Sequence, residues 1–358
     1  MNKVLPEDSK SIAWLRFPLA AIVIYLHSMN VEFTPIDIIK DWNTVSYDLC
    51  VYNTIRILIS RVLGHLAVPT FMFISGYLFF IQMDNWSWNI FLKKIKSRIY
   101  TLIIPYFLWL IIPVFINIIW LHKPSLIHEY VSNIWDKGLW DIFTAPLNSV
   151  LWFLRDLIVL VFISPVIFFI LNRTRWVVFI VLYVLGLIVE NTLINSAFWF
   201  SLGGMFCLSN FSITQFAKNV GQIALWGFVI LGVFKLVLYN DYMNDSVMEF
   251  SYNFISNSSI ILGVFLIFFI TTTEVCQKVK FPIWITSASF LIYVLHMEVL
   301  WRIRWMMKMF AGDLSNNNTY QFFVYLIAPL FSLVILIFLN FILRKFTPRI
   351  NYILTASR

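Results

Sequence analysis

Runs of apolar residues long enough to cross a bilayer recur along this chain, and no other feature restricts its fold as strongly. Ten can be drawn, at 12–29, 64–81, 99–120, 150–171, 176–190, 195–209, 220–239, 254–273, 283–301 and 321–343. A helix needs about 20 apolar residues to cross the hydrocarbon. Backbone amides in lipid must be hydrogen-bonded within their own segment, which favours helices over isolated strands. The expected fold is therefore all-α, a polytopic membrane protein of about ten transmembrane helices. With 60% of its 358 residues hydrophobic and only 12% charged, the chain has too little polar surface to cover a soluble body. Its 15 Trp and 15 Tyr suit aromatic belts at the two interfaces.

A net charge of +8 would suggest nucleic acid in a soluble chain. In a membrane protein the same excess belongs to loops that set orientation, so no nucleic-acid partner is expected. With both termini in the cytoplasm, fifteen Lys and Arg fall on the inner side and eight on the outer, with Arg16, Arg155 and Lys235 inside spans. The loop 240–253 carries Asp241, Asp245 and Glu249 without a cation, which suits the outside. The cluster Arg302, Arg304 and Lys308 runs against this assignment. An N-in, C-in protein of the cell (inner) membrane is the expectation. A single membrane-embedded domain would cover 11–345, flanked by cytoplasmic tails at 1–10 and 346–358. The stretches 30–63 and 121–149 read as interfacial helices or caps. The amino terminus is too charged for a cleaved signal peptide. Cys50, Cys207 and Cys276 show no metal or disulfide spacing, so no metal site is expected.

Two residues of the first span do not belong in hydrocarbon. Arg16 and His27 are eleven positions apart. That is about three helical turns, so both project from nearly one face, roughly 16 Å apart along the axis. A charge inside a membrane helix is costly and marks a path or a partner. This helix reads as one wall of a polar tunnel, with a cationic anchor near one end and a proton-handling imidazole near the other. Imidazole suits acyl transfer because its ordinary pKa, about 6.5, lets it take a hydroxyl proton at neutral pH. Further candidates lie along the chain. Pro69, Ser75 and Gly76 interrupt the second span. Lys93, Lys94, Lys96 and Arg98 form a basic rim before the third, suited to phosphate groups. Trp152, Arg155 and Asp156 open the fourth, where Arg155 and Asp156 can neutralise each other. Gly203 and Gly204 offer a close helix approach in the sixth. His296 and Glu298 lie in the ninth, two apart and hence on different faces. No phosphate-binding glycine loop and no nucleophile elbow is present.

The order of these segments resembles the membrane-embedded acyltransferase 3 family. The resemblance rests on Arg16 and His27 in the first span, FMFISGYLF at 71–79, KKIKSRIYTLIIPY at 93–106, LWFL at 151–154 and FLIYVLHMEV at 290–299. It implies an integral membrane enzyme that takes an acyl group, usually acetyl, from cytoplasmic acyl-CoA. That group passes to a hydroxyl, often of a sugar, at the outer face. Arg16 and His27 match the family's essential pair. Many members carry two arginines three apart before the third span. Here Arg98 stands in place, with Ile95 three before it and Lys94 and Lys96 nearby. The resemblance thus implies Arg98, Lys94 and Lys96 at the CoA phosphates, and Trp152, Arg155, His296 and Ser75 toward the acceptor. Acyl-CoA would be a donor substrate rather than a resident cofactor. The partners are then the donor, a glycan or glycolipid acceptor, and the lipid bilayer. His27 would either deprotonate the acceptor hydroxyl or carry the acyl group itself.

A second class fits the same scattered charge: a glycolipid flippase of an envelope polysaccharide pathway. It predicts substrate movement without CoA consumption. The chain shows no matched halves with broken helices, which weighs against it. A glycan polymerase would want a large Arg-rich outer loop, which the outer segments do not provide.

Overall fold

The computed structural model describes residues 4–29, 47–83, 85–121, 143, 148–174, 176–189, 191–239 and 246–355. Among them the regular structure is entirely helical. Helix α1 spans Pro6–His27. Next come α2 (Tyr47–Arg56) and α3 (Ala67–Phe80), joined without a break by a π-helical segment, Ile57–Leu63, and a short 3-10 turn. The same device joins α4 (Trp88–Arg98) to α5 (Ile104–Leu121) through Ile99–Ile103. Four shorter helices follow: α6 (Trp152–Phe162), α7 (Ser164–Thr174), α8 (Val177–Ile188) and α9 (Thr192–Leu208). Two 26-residue helices, α10 (Ile213–Leu238) and α11 (Ser246–Thr271), pack side by side. The rest is α12 (Glu274–Lys278), α13 (Ile283–Thr286), α14 (Ser289–Ala311), α15 (Asn318–Phe346) and α16 (Pro348–Thr355).

Six of the described helical stretches are long and apolar enough to cross a membrane, or seven if α6 and α7, bent by 68°, make one span. By that measure the expected ten is not reached, and the reasons are local. The fifth and sixth expected spans form helices of only 12 and 17 residues. The ninth breaks after α13, and the second half of α14 carries Glu298, Arg302, Arg304 and Lys308. The second span, in contrast, begins earlier than its apolar run. Residues 47–80 form one 34-residue stretch, so Arg56 and Arg61, expected in an outer loop, sit inside a helix. The remainder of the expected caps at 30–63 and 121–149 lies largely outside the described residues. So do Lys3, Lys40, Lys123, Lys137, Arg175, Asp241, Asp245 and Arg358 of the charge tally.

Two contacts set the frame around α1. The buried Asp8 carboxylate accepts hydrogen bonds from the backbone N–H groups of Ile213 (3.2 Å) and Thr214 (2.9 Å), and from the hydroxyls of Thr214 (2.7 Å), Ser212 (3.1 Å) and Tyr77 (3.2 Å). An acid from one helix thus caps the N-terminus of another, where free N–H groups and the helix dipole favour negative charge. Nearby, α3 and α9 cross at two glycines. A Cβ on Gly76 would stand 1.9 Å from the Phe200 carbonyl oxygen, and one on Gly203 would stand 1.9 Å from that of Phe73. Only a residue without a side chain lets these backbones touch. The carboxy-terminal residues 348–355 are also anchored, with the Trp109 indole N–H donating to the Leu354 carbonyl at 2.9 Å.

Candidate active site

α1 places His27 at its last residue and Arg16 near its middle rather than near its other end, because the helix starts at Pro6, before the apolar run. Both are half-buried. Beyond His27, Ser28 closes the helix and its hydroxyl donates to the Tyr325 carbonyl of α15 at 3.3 Å. The Tyr25 hydroxyl donates to the Leu326 carbonyl at 3.1 Å. These bonds fix the end of α1 against α15 and so fix where the His27 ring can go.

That ring meets a second imidazole. The centroids of His27 and His296 are 5.0 Å apart, with the rings tilted by 40°. His296 is fully buried. Its Nδ1 lies 2.8 Å from the Tyr293 carbonyl and 3.1 Å from that of Ile292. Carbonyls only accept, so Nδ1 carries the proton. Nε2 is then a bare acceptor, and it has no hydrogen-bond partner among the described residues. Tyr293 is itself held, its hydroxyl donating to the Val150 carbonyl at 2.5 Å. Phe153 packs on the Tyr293 ring at 5.4 Å, and Asn148 donates to the Val294 carbonyl at 3.3 Å. Residues 148–153, at the entry to α6, therefore brace α14 one turn from His296.

Around this pair lies a set of cations that sequence reasoning left in loops or passed over. Arg61 donates from Nε to the Met29 sulfur at 3.3 Å. Lys235, fully buried, donates to the Arg61 carbonyl at 2.7 Å and lies 3.5 Å from His65 Nδ1. Arg56 is also buried. Arg304 donates to the Ser28 carbonyl at 3.4 Å. The 61/65 spacing is one helical turn and could have signalled a shared face. The apolar run that marks the second span begins only at 64, which left Arg61 in a loop.

The other expected residues are distributed elsewhere. At the opposite end, the Lys94 ammonium donates to the carbonyls of Phe79 and Ile81, closing the C-terminus of α3. Lys96 is exposed, and Arg98 is half-buried against Ile158, Val161 and Phe162. Arg16 makes no hydrogen bond or ion pair among the described residues. Arg155 forms the expected pair with buried Asp156 at 2.7 Å and also donates to the Thr192 hydroxyl at 2.9 Å. Asp156 in turn accepts from Ser196 at 3.0 Å. Trp152 and Ser75 are half-buried, and Trp152 meets the edge of Phe153. His296 is thus the one acceptor-side candidate brought against His27. Glu298, two residues on, turns away to pair with Arg302 at 2.6 Å.

These features define a class: a multi-pass helical membrane protein with a histidine pair inside its bundle and cations at both ends. Residues 9–350 match the family described as the acyltransferase domain, acyltransferase 3. The chain belongs to that family and is a membrane acyltransferase. It is 22% identical to the succinoglycan biosynthesis protein ExoH of Rhizobium meliloti (strain 1021), a similarity that covers 98% of this chain and 92% of that protein. No solved structure matches it.

Proposed function

We propose that this protein moves an acyl group, acetyl in the simplest case, from cytoplasmic acyl-CoA to a hydroxyl of an envelope or exported polysaccharide, working in the cell membrane. The glycan acceptor follows the name of the relative, a succinoglycan biosynthesis protein. The observation that carries the chemistry is the contact of His27 with His296 inside the bundle.

In this reading the neutral His27 ring takes the proton of the acceptor hydroxyl as its oxygen attacks the thioester carbonyl. The new C–O bond forms and the C–S bond breaks. The CoA thiolate leaves and recovers a proton from His27. His296, with its proton fixed on Nδ1, offers Nε2 to a His27 N–H and so steadies the tautomer and the charge that develops there. The CoA phosphates meet the basic rim at the far end of α1. Lys94 is already held by two carbonyls, so Arg98 and Lys96 supply the counter-charge, and Arg16 stands on the way to His27.

The test is acyl transfer from labelled acyl-CoA to polysaccharide in membranes containing the His27→Ala variant. Loss of about 10²-fold or more is expected of a general base. Unchanged transfer by a correctly inserted variant removes His27 from the chemistry.

A further inference from the structure

A groove opens beside the histidine pair, between the second half of α14 and the start of α15. Trp301, Arg304, Trp305 and Lys308 form one wall, with Tyr320 and Gln321 on the other. Trp301 lies five residues beyond His296, about 7.5 Å of helix rise. Arg304 reaches the Ser28 carbonyl, one residue past His27. Groove and histidines therefore share one end of the bundle.

The lining has a definite chemistry. Trp301 and Trp305 are 49% and 43% exposed and stand one turn apart on the same face. Arg304 and Lys308 repeat that spacing beside them. No carboxylate lines the groove among the described residues. The opposite wall is fixed, with the Tyr320 hydroxyl donating to the Met307 carbonyl at 2.7 Å and the Gln321 amide to that of Ser315 at 3.3 Å. Flat, partly exposed indoles suit the apolar C–H faces of sugar rings. A guanidinium with an ammonium one turn on suits carboxylates on those rings.

We propose that this groove seats the acceptor and that the acceptor is an acidic saccharide chain, its carboxylates on Arg304 and Lys308 and its ring faces on Trp301 and Trp305. The proposal rests on reading the protein as a glycan acyltransferase, and adds where the glycan lies and what charge it carries. An anionic lipid headgroup would meet the same cations. The reach of Arg304 to the end of the helix that bears His27 favours the acceptor, because a lipid anchor needs no such proximity.

The test uses purified protein in phosphatidylcholine nanodiscs, with oligogalacturonate as the acidic probe and a maltooligosaccharide as the neutral one. Binding is read by tryptophan fluorescence and calorimetry, without any acyl donor. Oligogalacturonate should bind the more tightly. The double variant Arg304→Gln, Lys308→Gln should lose about tenfold in affinity, and Trp305→Leu should weaken both probes. Arg304→Lys should retain most of the binding, which separates lost charge from lost fold. The proposal is overturned if oligogalacturonate does not bind, if the neutral probe binds as well, if the double variant binds like the parent, or if phosphatidylglycerol in the disc displaces the oligosaccharide. A protein that binds the acid but transfers nothing defeats the transferase reading alone. One that transfers, but whose glycan binding ignores both cations, defeats the groove alone.

Discussion

At the scale of single residues, the proposed mechanism pairs a ring whose protonation is fixed with one whose protonation changes. His296 holds its proton on Nδ1 against the Tyr293 carbonyl, and its Nε2 is available to its neighbour. Asn at this position keeps a donor where Nδ1 stood and removes the Nε2 lone pair. His296→Asn should therefore leave the folded protein intact, as read by its melting curve in detergent. Acyl transfer should nonetheless fall by about tenfold or more in kcat with donor KM unchanged, as expected when a group that orients the base is lost. Wild-type kcat in this variant would leave His296 a packing residue. Asp8 gives the complementary case, structural rather than chemical. Asp8→Ala strands the buried N–H groups that open α10, at a cost of about 1–3 kcal/mol. A lowered melting temperature is the expected readout, with Asp8→Asn recovering part of it. Arg16 and His27 were legible from sequence because charge in an apolar run is conspicuous. The role of Asp8 was not, because an acid four residues before the apolar stretch looks like a solvated tail until α10 is folded against it.

Among the elements, the crossing of α3 and α9 rests on two backbones in direct contact. Gly76→Ala or Gly203→Ala pushes a methyl into a carbonyl oxygen that belongs to the partner helix, so the helices must separate. At least about 3 kcal/mol of destabilisation is expected, seen as loss of monodisperse protein after extraction. Gly232→Ala on α10 is the control. Its Cβ would meet only Val62 Cγ1, at 3.6 Å, so it should be neutral or stabilise by up to about 1 kcal/mol through helix propensity. If all three behave alike, the close crossing is refuted. The glycine pair in SLGGMF signalled close approach in the sequence, since small residues between helices have few other uses in lipid, whereas Gly76 read as an interruption and α3 runs through it unbroken. What pattern could not show was which helix each one meets. Nor could it show the π-helical segment at 57–63. There i→i+5 bonding carries the helix past Arg61 without a break, whereas the apolar run alone starts the span at 64, after this segment rather than before it. Such segments recur at functional positions, and this one presents Arg61 to Met29, two residues past His27.

For the whole molecule, the contacts sort the basic residues to two ends. Toward the start of α1 lie Lys94 at the end of α3, Lys218 paired with Glu7 at 3.2 Å, and Arg344 beside Ile283 and Ser287. The Trp14 indole donates to the Val279 carbonyl at 3.1 Å, which brings Lys278 and Lys280 to the same end. Toward His27 lie Arg61, Lys235, Arg302 and Arg304. Arg302 is held by Glu298, by the Asn117 amide oxygen at 2.6 Å and by the face of Trp120 at 5.4 Å. Arg302, of the cluster that opposed the N-in assignment, is thus bound within the protein at that end, and an internally bound cation weighs less in orienting a chain than a free loop charge. Cys276 turns this into a measurement. It is partly exposed, whereas Cys50 and Cys207 are buried, and it sits in α12 at the end where α1 begins. If that end faces the cytoplasm, a membrane-impermeant maleimide should label the protein in inverted vesicles and not in right-side-out spheroplasts. Cys276→Ala should abolish the label. Saturating acyl-CoA should slow it if, as proposed, the donor enters by the same face. Labelling from the outside instead would put Arg98 and Lys96 on the wrong side of the membrane for a cytoplasmic donor, and the proposed direction of transfer would fall with it.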